Sequence, residues 1–325
     1  MIQQDKSCQI CHSNIFFDTS YLDTYGHTLF QDKQMIVCQG CGFGQIYPKI
    51  EKHDLNEFYE NYWRSSKSPA VLNFKEWALS KNVLDSRSIS QLLLGTQYLV
   101  NKESYSFMDI GPGIGWSFIS AKKILDNVRL FTIELCREAT AYYAKNLDNI
   151  TIFNSLGDVK EDMDVVLMSH SLEHFDIDDI DDLFFNIHGL LAENGVFVIE
   201  VPNEMPMKHI NNHTPHLCFF TLESLKKLFN KFEDKFELCF VDTVGMLIAD
   251  ALNMSERKLE SAKLDKSNSF VWLRTFVKKN IVKLGLYGFF RLFKQIKNID
   301  KFFNTSDFKY GGERVAIRCI LKKRS

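Results

Sequence analysis

From residue 105 to residue 201 the chain alternates short apolar runs with helix-compatible stretches, and this alternation constrains the fold more than any other feature. The runs Phe107–Ile110, Leu130–Glu134, Ile150–Phe153, Asp164–Met168 and Gly195–Val201 read as strands, with helices expected over 116–126, 137–146 and 178–191. Buried strands joined by helical crossovers build a mostly parallel, doubly wound α/β sheet. Thr221 is placed to cap a further helix to Phe229, and 236–241 and 314–321 read as two late strands, giving seven in all.

The first sixty residues read differently. Cys8-Gln9-Ile10-Cys11 and Cys38-Gln39-Gly40-Cys41 are two CxxC knuckles with short polar and aromatic segments between them. Two such pairs supply four soft thiolates, the donor set of a closed tetrahedral zinc site, which predicts a structural ion held by Cys8, Cys11, Cys38 and Cys41 in a zinc-ribbon-like module. His12 adjoins the first knuckle as a bystander. The other four of the eight cysteines are scattered, unlike a disulfide framework. With no apolar leader after Met1 and no run long enough to span a bilayer, the expected compartment is the cytoplasm. The domain reading is 1–60 zinc module, 61–104 helical connector, 105–249 with 309–325 the α/β domain, and 250–308 an insertion before the last strand.

Chemistry concentrates where strands end. Asp109-Ile110-Gly111-Pro112-Gly113-Ile114-Gly115 leaves a strand and opens a helix, so backbone can approach a ligand at a helix N-terminus. Glu134 closes the next strand about twenty residues on, where a carboxylate can accept two ribose hydroxyls. The spacing D-x-G-x-G-x-G, together with Ser169-His170-Ser171-Leu172-Glu173-His174-Phe175, resembles class I S-adenosylmethionine (SAM)-dependent methyltransferases, a Rossmann-like fold. That resemblance implies SAM as cofactor. It implies that Asp109, Gly111 and Gly113 line its methionine part, that Glu134 holds the ribose, that Leu135, Ser155 and Leu156 lie near the adenine, and that Ser169 and His170 sit beside the sulfonium. Ile199–Asn203 and His216–Thr221 further resemble methyltransferases of sugars and natural products, some of which begin with a two-knuckle zinc module.

The leading expectation is O-methylation of a sugar or sugar nucleotide in surface-polysaccharide or natural-product assembly. Methyl transfer to a hydroxyl needs a proton acceptor, and histidine suits that role near neutral pH. His216 is the first candidate, with His174 and Glu173 behind it; His170, His209, His213, Glu200 and Glu204 complete the pool. C-methylation of a nucleotide-linked deoxysugar is the first rival, although Pro215-His216 stands where those enzymes carry Glu-His and their extra C-terminal domain has no room here. An rRNA methyltransferase is the second. A formal charge of −2, and an excess of acids over Lys6, Lys33, Lys49 and Lys52 in the first sixty residues, argue against a nucleic-acid partner. A binding module on an inactive SAM fold would show an eroded glycine motif, and this one is intact. The insertion interleaves lysines and arginines with phenylalanines over 276–303, which leaves three readings open: a lid over the acceptor, a homodimer contact, or a peripheral membrane surface.

Overall fold

The structure is a computed structural model and describes residues 7–23, 26–61, 85–203, 213–244 and 316–324. The 250–308 insertion, residues 62–84 of the connector, and the candidates His209 and Glu204 lie outside the described residues.

Two sheets organise the chain. The larger is built from β4 (Ser106–Ile110), β5 (Arg129–Ile133), β6 (Ile150–Phe153), β7 (Met163–Ser169), β8 (Leu191–Pro202), β10 (Phe236–Val244) and β11 (Ala316–Lys323). Its order is β10-β11-β8-β7-β4-β5-β6. All neighbouring pairs from β8 to β6 are parallel, and β11 lies antiparallel between β8 and β10. The seven-stranded, mostly parallel sheet expected from the alternation is therefore present. Every residue of β4 is buried, as required of a central strand covered on both faces. The helices are α2 (Ser86–Thr96), α3 (Trp116–Ile124), α4 (Arg137–Asn146), α5 (Ile180–Leu190) and α6 (Leu222–Asn230), preceded by α1 (Lys52–Glu60). Thr221 caps α6 as expected, its hydroxyl accepting from Ser224 N at 2.9 Å. The connections out of β4 and β7 leave in opposite directions along the sheet, so the ends of these adjacent strands flank a topological switch point, where ligands of such sheets bind.

The smaller sheet departs from the sequence reading. β1 (Phe16–Ser20), β2 (Gln34–Cys38) and β3 (Gly44–Tyr47) form an antiparallel meander, but its fourth strand is β9 (Cys218–Phe219), paired to β3 through Gly44↔Phe219 and Gln45↔Cys218. The first sixty residues thus do not form a unit of their own. Phe43 packs on Phe220 with ring centroids 5.4 Å apart. Cys8, Cys38 and Cys41 belong to the same continuous core as Phe197 and Leu225 of the large domain. At the rim, Lys49 pairs with Asp176 and Asp178, and Lys52 with Asp179 at 3.0 Å. Exposed pairs of this kind contribute about 0–1 kcal/mol each, so the shared apolar core holds the module in place.

Candidate active site

The knuckles come together at one point. The Cys8 and Cys41 sulfurs are 3.8 Å apart, those of Cys11 and Cys38 3.5 Å, and all four lie within 4.8 Å of one another. Thiolates about 2.3 Å from a tetrahedral centre sit about 3.8 Å apart, so the donor set and its spacing fit zinc. Each knuckle closes the same way: His12 N donates to Cys8 O and Gly42 N to Cys38 O, both at 2.8 Å. His12 (φ 59°) and Gly42 (φ 72°) hold equivalent left-handed positions. His12 therefore serves through its backbone and is not among the clustered ligands.

The glycine turn sits at the end of β4. Gly111, Gly113 and Gly115 have φ of 69°, 55° and 79°, a left-handed region that side chains disfavour. Gly111 N is tied to Ile133 O at 2.9 Å, which brings the turn against the end of β5. A side chain at Gly111 would meet Ser171 Cβ at 3.0 Å, whereas one at Gly113 would project into open space. That open cradle fits a cofactor laid against the backbone. Asp109 is 2% exposed, accepts from the Ser117 hydroxyl through Oδ2, and leaves Oδ1 buried with no hydrogen-bond partner. Burial, reinforced by the charge of Glu134, pushes its carboxyl up to about 7. Glu134 follows β5 directly. Its Oε1 accepts from Cys136 N at 2.9 Å, and burial pushes it up to about 7 as well. Leu135 beside it is exposed. Past β6, Ser155 opens a one-turn helix, its N–H and its hydroxyl donating to Asp158 Oδ2 at 3.0 and 2.9 Å, with Leu156 half-buried.

The end of β7 carries the second half of the site. Strand register sets Asp109 opposite Leu167, which brings Ser169 level with Gly111. His170 takes a left-handed turn (φ 55°), and its ring lies between two buried carboxylates: Nδ1 is 3.6 Å from Glu173 Oε1 and Nε2 is 3.4 Å from Glu200 Oε1. Glu173 is 1% exposed. Its other neighbour is His216, with Nε2 3.9 Å from Glu173 Oε1. The rings of His174 and His216 meet edge to face at 5.0 Å. The three sequence candidates, the adjacent Glu173 and His174 and the distant His216, thus form one cluster.

Two of the remaining candidates prove structural. His213 is 1% exposed and its Nδ1 accepts from Leu22 N at 2.8 Å, so it ties β9's approach to the N-terminal module. Glu200 is locked by Arg318, whose Nε donates to Oε2 at 2.7 Å. Burial works against its ionisation, but Arg318, with His170 and Arg87, holds the carboxyl well below the usual carboxylate range.

Tyr59, on α1, was not singled out by the sequence. Its hydroxyl donates to Pro215 O at 3.2 Å and lies 3.1 Å from His174 Nδ1. With that proton given to the carbonyl, the oxygen accepts from His174 Nδ1–H, which leaves the lone pair of that ring on Nε2. Burial, followed by the neighbouring His216, pushes His174 down to about 3. His174 is therefore neutral across the physiological range. Only the aromatic run Phe58-Tyr59 at the end of the module could have marked this position.

Residues 84–233 match the model of a family described as a methyltransferase domain. Comparison with curated proteins returns no match. Among solved structures, phosphoethanolamine N-methyltransferase 2 of Haemonchus contortus with bound SAM aligns over 95% of this chain and 69% of that one, at 14% identity and a TM-score of 0.51. A cyclopropane synthase of Mycobacterium tuberculosis, MmaA2, aligns over 83% of this chain and 98% of that one, at 14% identity and a TM-score of 0.50. At these identities the likeness is one of fold, the same Rossmann-like sheet. Among the described residues no helix is long and apolar enough to cross a membrane. Residues 84–233 thus carry a methyltransferase domain, with the glycine turn and its open cradle at the switch point of the sheet, and the chain is a SAM-dependent methyltransferase.

Proposed function

We propose that the enzyme methylates a hydroxyl of a sugar or sugar nucleotide, with His216 as the proton acceptor. The observation that carries this reading is the Glu173–His174–His216 cluster, whose Glu173 and His174 sit just past Ser171, the residue that a side chain on Gly111 would meet. When bound, SAM supplies a methyl carbon activated by its sulfonium, and the carbon–sulfur electron pair stays on sulfur. Asp109, Gly111 and Gly113 hold its methionine part, Glu134 its ribose, Leu135, Ser155 and Leu156 its adenine surroundings, and Ser169 and His170 flank the sulfonium. Glu173 Oε1 lies 3.9 Å from His216 Nε2, near enough for a carboxylate to favour the imidazolium that forms as His216 takes the proton of the acceptor hydroxyl and the new carbon–oxygen bond closes. His174, held down to about 3, is too weak a base for this step at neutral pH and orients the acceptor instead. The four cysteines hold a structural zinc, whose role is to fix the module that carries Tyr59 and also Tyr21, whose hydroxyl donates to His216 O at 3.1 Å, beside the cluster.

Purified enzyme is given SAM and a panel of sugar nucleotides and glycans, and S-adenosylhomocysteine release is followed. His216→Ala is expected to lower kcat by about 10²–10⁴-fold with affinity for S-adenosylhomocysteine unchanged. Near-normal turnover would return the base to Glu173 or leave the reaction to alignment alone. A product carrying a new carbon–carbon bond, read by NMR, would replace O-methylation with C-methylation, since the same base could remove a proton beside a carbonyl. Turnover on rRNA alone would end the sugar reading.

A further inference from the structure

The sequence motifs leave α2 without a role in the site, yet its inward face carries a polar anomaly. Ser88, Gln91 and Gly95 share that face. Ser88 Oγ lies 3.2 Å from Ser120 Oγ of α3, and a Cβ on Gly95 would sit 2.8 Å from Val198, so the helix is pressed flat on α3 and the sheet. Gln91, between them, is 0% exposed. Its Nε2 donates to Ser169 Oγ at 2.8 Å, and its Oε1 is buried with no hydrogen-bond partner. A buried amide oxygen left unmatched is costly, and native proteins keep such groups where a ligand or catalytic step uses them.

Its surroundings indicate which ligand. Ser169 is level with Gly111 by strand register, so the Gln91 amide lies at the height of the glycine turn. Two more buried oxygens there have no hydrogen-bond partner: Asp109 Oδ1 at the end of β4 and Ser171 Oγ beside Gly111. Three unmatched acceptors around one turn call for a donor bearing several hydrogens. The amino-acid end of SAM carries an ammonium with three.

We propose that Gln91 binds the α-ammonium of SAM through Oε1, with Ser169 fixing the amide in that orientation. This rests on Gly111 and Gly113 cradling the methionine end of the cofactor. It makes Gln91 a determinant of selectivity for amino-acid-bearing ligands over truncated nucleosides.

The test compares two ligands by calorimetry on the full chain: S-adenosylhomocysteine, and 5′-methylthioadenosine, which keeps the adenosine and sulfur but has no amino-acid end. Gln91→Met keeps the volume and removes the acceptor. It is expected to weaken S-adenosylhomocysteine about 10- to 100-fold and leave 5′-methylthioadenosine within twofold, so the second ligand also reports that the fold is intact. Gln91→Glu, which restores an acceptor, is expected to recover most of the first affinity. Equal weakening of both ligands would mean that Gln91 only packs the helix, and unchanged binding of S-adenosylhomocysteine would exclude the contact; either overturns the proposal. A wild-type protein that binds the two ligands equally overturns it too, because no amino-acid subsite would exist. No methyl acceptor is present in these measurements, so their outcome is separate from that of the sugar assignment.

Discussion

Replacing Glu134 with glutamine should make the protein more stable and worse at holding its cofactor. Burial raises the Glu134 carboxyl from 4.5 to about 7 in the folded chain. Below pH 4.5 both folded and unfolded forms keep this proton. Between 4.5 and 7 the unfolded chain releases it while the folded chain retains it, and above 7 the folded chain bears a carboxylate in a poorly solvated place. Stability from this group is therefore full at low pH and is lost as pH rises through about 7. A shift of that size corresponds to about 3 kcal/mol, and the partial exposure of the side chain discounts it to about 2 kcal/mol. Glu134→Gln removes the penalty, and because the Glu134 charge also raises Asp109, it relieves that carboxyl in part. At pH 8 the variant should melt about 4 °C higher than the wild type, with the two converging near pH 5. In the same samples, S-adenosylhomocysteine should bind at least about tenfold more weakly, because charge-assisted bonds to the ribose become ordinary ones. Melting curves that stay parallel from pH 5 to 8.5 would refute the burial argument. Unchanged affinity would refute the ribose assignment.

Two further outcomes follow from the site's supports. Cys38→Ser leaves three thiolates, and the N-terminal module should lose bound zinc and aggregate, which metal analysis and size-exclusion chromatography would show; full stability without zinc would contradict the structural role. Arg318→Met strands the Glu200 carboxylate in a site where both partners are at most 2% exposed, so urea unfolding should report a loss of about 3–5 kcal/mol, and a loss under about 1 kcal/mol would mean that Glu200 takes up a proton at little cost.

The large sheet was legible because its strands obey a local rule: β4 and β7 are apolar runs covered on both faces, and each is followed by a helix or turn with its own signal. The glycine turn and the Glu173-His174 pair were legible for the same reason, as short motifs at strand ends. The rest depends on partners distant in sequence. β9 is two residues long, too short for any periodicity, and exists only because β3 offers an edge. Gln91 looks like an ordinary helix residue until Ser169 and the sheet close over it. Only the resemblance at His216–Thr221 set His216 apart from His213; burial against Leu22 makes His213 a tie, and Glu173 makes His216 a candidate base. The 3.1 Å contact of Tyr59 with His174 could not have been read from a module expected only to hold a metal.

The borrowed strand β9 also fixes a timetable. The knuckles and β1–β3 leave the ribosome first, but the edge of β3 stays unpaired until residues 218–219 follow, and Thr221 reaches back to Cys41 O across 180 residues. At synthesis rates of about 5–20 residues per second, that wait lasts roughly 10 to 40 seconds. For that interval a nascent meander with an open edge must avoid pairing with a neighbouring chain. On the proposed zinc reading, metal capture during translation, before the α/β domain exists, guards the N-terminus, and zinc shortage would show itself as aggregated nascent chains before it lowered the activity of finished enzyme.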